Sequence, residues 1–170
     1  MFRRLIVILT FSRRTDSLTG LAKVIDGDTI VVADQLVRLH GIDAPELDQT
    51  FWWRGQEMAC GAMSLAALEA LTAGVKVRCK VVERDRHGRL VAKVFSPNGV
   101  DIGRRLVLAG WALAYRQYST DYVDAEKEAR KMRRGMWRGT FVNPWMWRAS
   151  SPPRGTQAPS RIVPMSGPRR

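Results

Sequence analysis

Apolar and polar positions along this chain mark out short strands first and helices later. Residues 21–25 and 28–33 are β-branched runs separated by Asp26-Gly27, a pair that predicts a tight hairpin turn. A turn at Asp34-Gln35 leads into a third strand over 36–40, where alternation sets Val37 and Leu39 on one face and Arg38 and His40 on the other. Two more strands are read at 75–82 and 90–95, joined by the charged turn Glu83-Arg84-Asp85-Arg86-His87-Gly88-Arg89, in which Gly88 permits positive φ. The spacing becomes helical in three places. Residues 56–73 are rich in Ala, Leu and Met and stop at Gly74; 101–109 carry Ile102, Leu106 and Ala109 on one face and stop at Gly110. The third helix, 121–134, aligns Tyr122, Ala125, Ala129 and Met132 with Met136 in a stripe read as core, and stops at Gly135. Residues 47–55, with Phe51, Trp52 and Trp53, read as a loop whose aromatics pack on the body, and Trp137, Trp145 and Trp147 close the domain.

One helix after the third strand and two at the end predict an α+β protein: a closed five-stranded barrel of the OB-fold type with about three packed helices. The length of 170 residues suits one domain, and 45% apolar residues suffice for its core. Charge adds a direction. The formal net charge is +12, of which residues 1–18 carry +3, 19–148 carry +5 and 149–170 carry +4. A surface this basic concentrates polyanions, so nucleic acid is the natural partner, with an acidic membrane face as the other. Residues 1–18 form a basic arm or a degenerate export signal: the apolar run 5–11 is too short to cross a bilayer, and no small-x-small cleavage site follows it. Residues 149–170, with five Pro, four Arg and no acid, predict a disordered tail. No stable membrane span is expected, which leaves 19–148 as the domain.

Against this basic background the acids are concentrated. Asp26, Asp28, Asp34, Asp43, Glu46 and Asp48 are six of the 16 carboxylates, and Arg38 lies among them. In Gly41-Ile42-Asp43-Ala44-Pro45-Glu46 the proline holds Ala44 extended, so a rigid backbone can turn the Ala44 carbonyl and the Asp43 and Glu46 side chains toward one point. Any one of these acids alone reads more plainly as a turn former or surface charge; together they suggest a site built of anionic oxygens. Two Cys and two His fit no zinc spacing, so a hard metal suits the chain better than a soft one. Cys60 and Cys79 read either as small buried hydrophobes or as a disulfide, which would need an oxidising compartment.

The ordered set Asp26-Gly27-Asp28-Thr29, Val37-Arg38-Leu39, Gly41-Ile42-Asp43-Ala44-Pro45-Glu46, His87-Gly88-Arg89, Gly110-Trp111-Ala112 and Arg134-Gly135-Met136-Trp137 resembles the signature of the staphylococcal nuclease (thermonuclease) family over about residues 19–142. The resemblance implies an OB-fold barrel and a Ca2+-dependent phosphodiesterase of little sequence preference, releasing a 5'-hydroxyl and a 3'-phosphate. It implies that Asp28 and Asp43 hold calcium with the Ala44 carbonyl, where the family often has Thr; that Glu46 is the general base; and that Arg38 and Arg89 bind the phosphate. His87 stands where the family often has Tyr, and Arg116 and Tyr118 match the nucleotide-contacting tyrosines only in part, although both suit a nucleotide. For Tyr115 and Tyr118 half-buried packing is an equal alternative. A monomer acting on DNA and RNA, preferably single-stranded, is expected. The alternative is a non-catalytic OB-type module binding nucleic acid or protein, but members of that kind typically lose the acids retained here. Bacterial relatives can carry a Cys pair resembling Cys60 and Cys79; its pairing, with a start site lying upstream of Met1, would imply export, and otherwise the chain would be cytoplasmic.

Overall fold

The computed structural model describes residues 17–150. The expected basic arm falls almost entirely outside these residues, as does the Pro/Arg-rich tail beyond residue 150. Five strands close a barrel in the order β1-β2-β3-β8-β7: β1 (Ser17–Val24), β2 (Thr29–Val32), β3 (Gln35–Leu39), β7 (Lys76–Arg84) and β8 (Leu90–Phe95). All neighbours are antiparallel except β3 and β8, which run parallel with Arg38 opposite Val91. The expected OB-type barrel is therefore present, built from strands whose alternate residues fill it. Ile30, Val32, Val37, Leu39, Val77, Cys79, Ala92 and Val94 are all buried, and each face-to-face pair removes apolar surface from water.

The described residues also form four α-helices: α1 (Cys60–Thr72), α2 (Ile102–Ala109), α3 (Val123–Lys131) and α4 (Pro144–Ser150). Asp101 caps α2 by accepting a hydrogen bond from the Arg104 N–H, and Gly110 ends that helix in the left-handed region. In the α3 stripe Tyr122, Ala125, Ala129 and Met136 are buried, whereas Met132 is exposed because the helix ends at Lys131. On α2, Val107 is buried and Ala109 exposed, the reverse of the expected edge of its apolar face. Among the described residues no helix is long and apolar enough to cross a membrane.

Three local expectations are corrected. Residues 47–58 are not a loop running into a helix: β5 (Phe51–Trp53) and β6 (Gln56–Met58) form a hairpin through Arg54 and Gly55, both at positive φ, and α1 starts only at Cys60. The hairpin is completed by β10 (Thr140–Phe141), whose Phe141 pairs with Phe51, so its third strand comes from the other end of the chain. The short pair β4 (Ile42–Asp43) and β9 (Leu113–Ala114) fastens the acidic segment to the helical end. The expected hairpin through Asp26-Gly27 does join the antiparallel strands β1 and β2, but without positive φ. The two-residue turn with positive φ at both positions is Ala33-Asp34, between β2 and β3 and one residue before the expected Asp34-Gln35. Gly27 is required for another reason: a Cβ there would overlap Ser64 of α1 and Ala44. Finally, Cys60 and Cys79 are free thiols and not a disulfide. Cys79 sits in the barrel core, while Cys60 belongs to a separate cluster with Phe51, Leu113 and Met136. Burial pushes both thiols up to about 11, so each behaves as a small apolar side chain.

Candidate active site

The acidic stretch occupies one mouth of the barrel. Asp28 immediately precedes β2, Arg38 is on the outward face of β3 opposite Thr29, and Asp43 ends β4, so three strands bring these side chains together. Arg38 Nη2 lies 3.1 Å from Asp28 Oδ2 and 3.0 Å from Asp43 Oδ1. Two carboxylates separated by 15 residues thus converge on one nitrogen atom. Asp28 also accepts the Ala44 N–H at 3.2 Å and the Thr29 hydroxyl at 3.0 Å, and Asp43 is fully buried.

Burial, opposed by Arg38 but reinforced by Asp26 and Asp43, pushes the Asp28 carboxyl up to about 6. For Arg38, burial alone would lower the pKa, yet Asp28 and Asp43 outweigh it and the guanidinium is held above its ordinary value. The pair is therefore a crowded anionic site in which negative charge remains costly even beside an arginine.

Glu46 is positioned by backbone contacts. The fully buried Gln49 donates its N–H to the Glu46 carbonyl at 2.8 Å and accepts the Glu46 N–H on Oε1 at 3.3 Å. A Cβ on Gly61 would overlap the Glu46 carbonyl, so only glycine lets the first turn of α1 approach this closely. Gln49 Nε2 donates to the Val142 carbonyl at 2.6 Å, which ties the loop to the segment leading into α4.

That tie locates a residue the sequence reading left out. Arg148 of α4 donates from Nη2 to both Asp43 oxygens, at 3.0 and 2.9 Å, and from Nη1 to Glu46 Oε1 at 3.0 Å. Its guanidinium is held above its ordinary value by Asp43 and Glu46 in spite of burial, which would lower it. Asn143-Pro144, with a capping residue before a proline that suits the first helical position, was the available signal for this helix.

Across the cleft, Arg89 precedes β8 and its Nε donates to Asp85 Oδ2 at 2.7 Å. Asp85 Oδ1 accepts the N–H groups of His87 and Arg89, so one carboxylate organises the whole turn. The slight burial of Asp85 would raise its pKa, but the Arg89 side chain and these N–H groups hold it below the ordinary carboxylate range. A cleft of about 770 Å³ is lined by Asp28, Arg38, Ala44, Glu46, Arg84, His87, Arg89, Tyr115, Tyr118 and Arg148, among others.

Of the residues expected to contact a nucleotide, His87 and Tyr118 line this cleft and Arg116 does not. Arg116 pairs with Glu126 at 2.8 Å and lines a neighbouring cavity with Trp145 and Trp137. Tyr115, whose ring stacks on Trp145 at 5.9 Å and meets Tyr118 at 5.0 Å, takes the place beside Tyr118.

Residues 36–139 match the family described as "Staphylococcal nuclease homologue". The chain belongs to the staphylococcal nuclease family. It is 38% identical over 135 residues to an "Uncharacterized endonuclease" of Escherichia coli O157:H7, covering 75% of this chain and 82% of that one. A "Micrococcal nuclease" of Shigella flexneri is 32% identical over 163 residues, covering 86% and 88%. The "Succinoglycan biosynthesis protein ExoI" of Rhizobium meliloti is 38% identical over 133 residues, covering 72% and 66%. By this membership the chain is a nuclease, a hydrolase whose substrates are nucleic acids. In this nuclease Asp28, Glu46, Arg38, Arg89 and Arg148 line one cleft, with the buried Asp43 hydrogen-bonded behind it.

Proposed function

We propose that the chain is a calcium-dependent phosphodiesterase that cleaves DNA and RNA, with single strands preferred, and that it works as a monomer. The observation that carries this reading is the convergence of Asp28 and Asp43 on Arg38 Nη2, with Glu46 bridged to Asp43 through Arg148. The residues fit a hard divalent cation. Asp28 and Asp43 offer carboxylate oxygens within reach of one positive atom, and the Asp28 carboxyl, raised chiefly by burial, is short of the solvation that such a cation would supply. The Ala44 carbonyl would be the third ligand. Among the described residues there is no group of three or more His, Cys, Asp or Glu side chains able to hold a metal, so the remaining ligands would be water and substrate phosphate.

When bound, the cation supplies Lewis-acid stabilisation of charge on the phosphate. The other roles fall to the chain. Glu46 orients a water molecule and accepts its proton as the water oxygen bonds to phosphorus, a contribution of roughly 10² to 10⁴ in rate. Arg38 and Arg89 donate paired N–H groups to the phosphate oxygens, where charge grows in the transition state. The bond from phosphorus to the 5'-oxygen breaks, that oxygen takes a proton from solvent, and the 3'-oxygen keeps the phosphate. His87, Tyr115 and Tyr118 flank the nucleotide. Tyr118 is exposed enough to offer a ring face to an unpaired base, which supports the single-strand preference.

Hydrolysis of denatured DNA and of RNA by the full chain, with calcium and with a chelator, tests this reading. The expected result is calcium-dependent cleavage leaving 3'-phosphate ends, slower on duplex than on denatured DNA. A folded protein that binds these nucleic acids and cleaves neither would overturn it in favour of a binding module.

A further inference from the structure

Arg148 makes contacts that a surface ion pair does not. One nitrogen reaches both oxygens of Asp43, whose side chain is completely buried, and the other reaches Glu46. Its placement is built into the fold. Three residues earlier, Trp145 stacks on Tyr115, Gln49 fastens the Val142 carbonyl, and the Trp147 and Met146 N–H groups close the first turn on the Asn143 carbonyl. The Arg148 side chain is nevertheless partly open to solvent, at 37% exposure, so it is not locked into the core.

Asp43 is thereby shared between two arginines, Arg38 and Arg148. A divalent cation approaching the Asp43 oxygens competes with the guanidinium that holds both of them, because the two cations repel and most of the carboxylate's lone pairs are already taken by Arg38 and Arg148. Once displaced, the guanidinium remains in a cleft whose intended occupant is an anionic phosphodiester, and its planar fork matches phosphate oxygens as well as it matches a carboxylate.

We propose that Arg148 is a third phosphate-binding arginine, held in reserve on Asp43 and Glu46 and released onto the substrate phosphate when a divalent cation claims Asp43. This rests on the calcium-site reading above. It makes Arg148 a competitor of the metal and an ally of the nucleotide. A purely structural latch would affect neither binding step in these opposite directions.

The test is titration calorimetry on the full chain, first with calcium alone and then, at saturating calcium, with a nucleoside 3',5'-bisphosphate, which carries phosphate and no diester to cleave. Arg148→Ala and the more shape-preserving Arg148→Gln are compared with wild type, with circular dichroism verifying that each variant folds. Both variants are expected to bind calcium about 5-fold tighter or more, the lower end of a typical coupling between linked sites, and the bisphosphate about 10-fold more weakly, as expected for losing a hydrogen bond to a charged group. Arg148→Lys, which keeps the charge and loses the fork, is expected between the two. If wild type binds no calcium, the metal reading fails and takes this inference with it. If wild type binds calcium but the folded variants bind it no tighter, or bind the bisphosphate no more weakly, the inference alone is overturned.

Discussion

The two sides of the cleft hold their arginines in opposite ways. On the barrel side, Arg38 is bound to Asp28 and Asp43, acids that strand pairing has taken almost wholly out of water. On the turn side, Arg89 is bound to Asp85, a carboxylate near the surface whose other oxygen organises the β7–β8 turn. Both guanidiniums are directed to a phosphate in the proposed reaction, yet only one also compensates buried charge. Catalytic importance and structural importance therefore coincide on the barrel side and separate on the turn side. Burying Asp28 and Asp43 costs stability, a cost that the proposed cation would relieve.

The largest expected effect comes from exchanging these arginines. Arg38→Ala and Arg89→Ala should each lower kcat/KM by about 10² to 10³, the loss typical of removing one preorganised donor to the transition state. Their stabilities should differ. Arg38→Ala leaves two buried carboxylates without their shared partner and is expected to cost about 3 kcal/mol in chemical denaturation at neutral pH, whereas Arg89→Ala should cost under about 1 kcal/mol. Equal losses of stability would erase the comparison.

Next in size is a pH effect at Asp28. Folding raises this carboxyl from 3.8 to about 6, so between those values the folded chain holds a proton that the unfolded chain has released. Asp28 therefore makes the metal-free protein less stable as pH rises through that window. Asp28→Asn removes the penalty while keeping the shape. It should be more stable than metal-free wild type by about 3 kcal/mol above pH 6, since each pKa unit is worth about 1.4 kcal/mol, and no more stable below pH 4. Calcium binding should be lost in the same variant, and denaturant titrations across pH with and without calcium read both effects.

The smallest effect is expected at the exposed rim. Tyr118→Ala should raise KM for denatured DNA about 5-fold, the lower end of a base-stacking contribution of about 1 kcal/mol, with kcat and stability unchanged. A change in kcat would move Tyr118 from the nucleotide to the chemistry.

The barrel side was legible in the sequence because its chemistry is local. Asp28, Arg38, Asp43, Ala44 and Glu46 lie within 19 residues, and strand alternation with Pro45 restricts where they can point. The remainder depends on distant contacts. Arg148 meets Asp43 across 105 residues and Gln49 meets Val142 across 93, distances over which periodicity carries no information. The β5–β6 hairpin was hidden for a similar reason: Gln56, Glu57 and Met58 are good helix formers that continue naturally into α1, and their strand state depends on β10 pairing behind β5. Asp26-Gly27 carried a strong turn signal, but its glycine answers to the approach of Ser64 and Ala44 rather than to a left-handed turn. Arg116 suited a nucleotide by charge alone, and Glu126, ten residues on, takes it first.

Glu46→Gln is the most direct test of the central claim that a carboxylate at this cleft activates water against a phosphodiester. The change removes the proton acceptor and preserves the shape of a side chain whose backbone is fixed by Gln49 and by the approach of Gly61. Single-turnover cleavage of a short denatured DNA at saturating calcium should slow by about 10² to 10⁴, with substrate affinity and unfolding free energy close to wild type. A rate within a few-fold of wild type in the folded, substrate-bound variant would contradict the account.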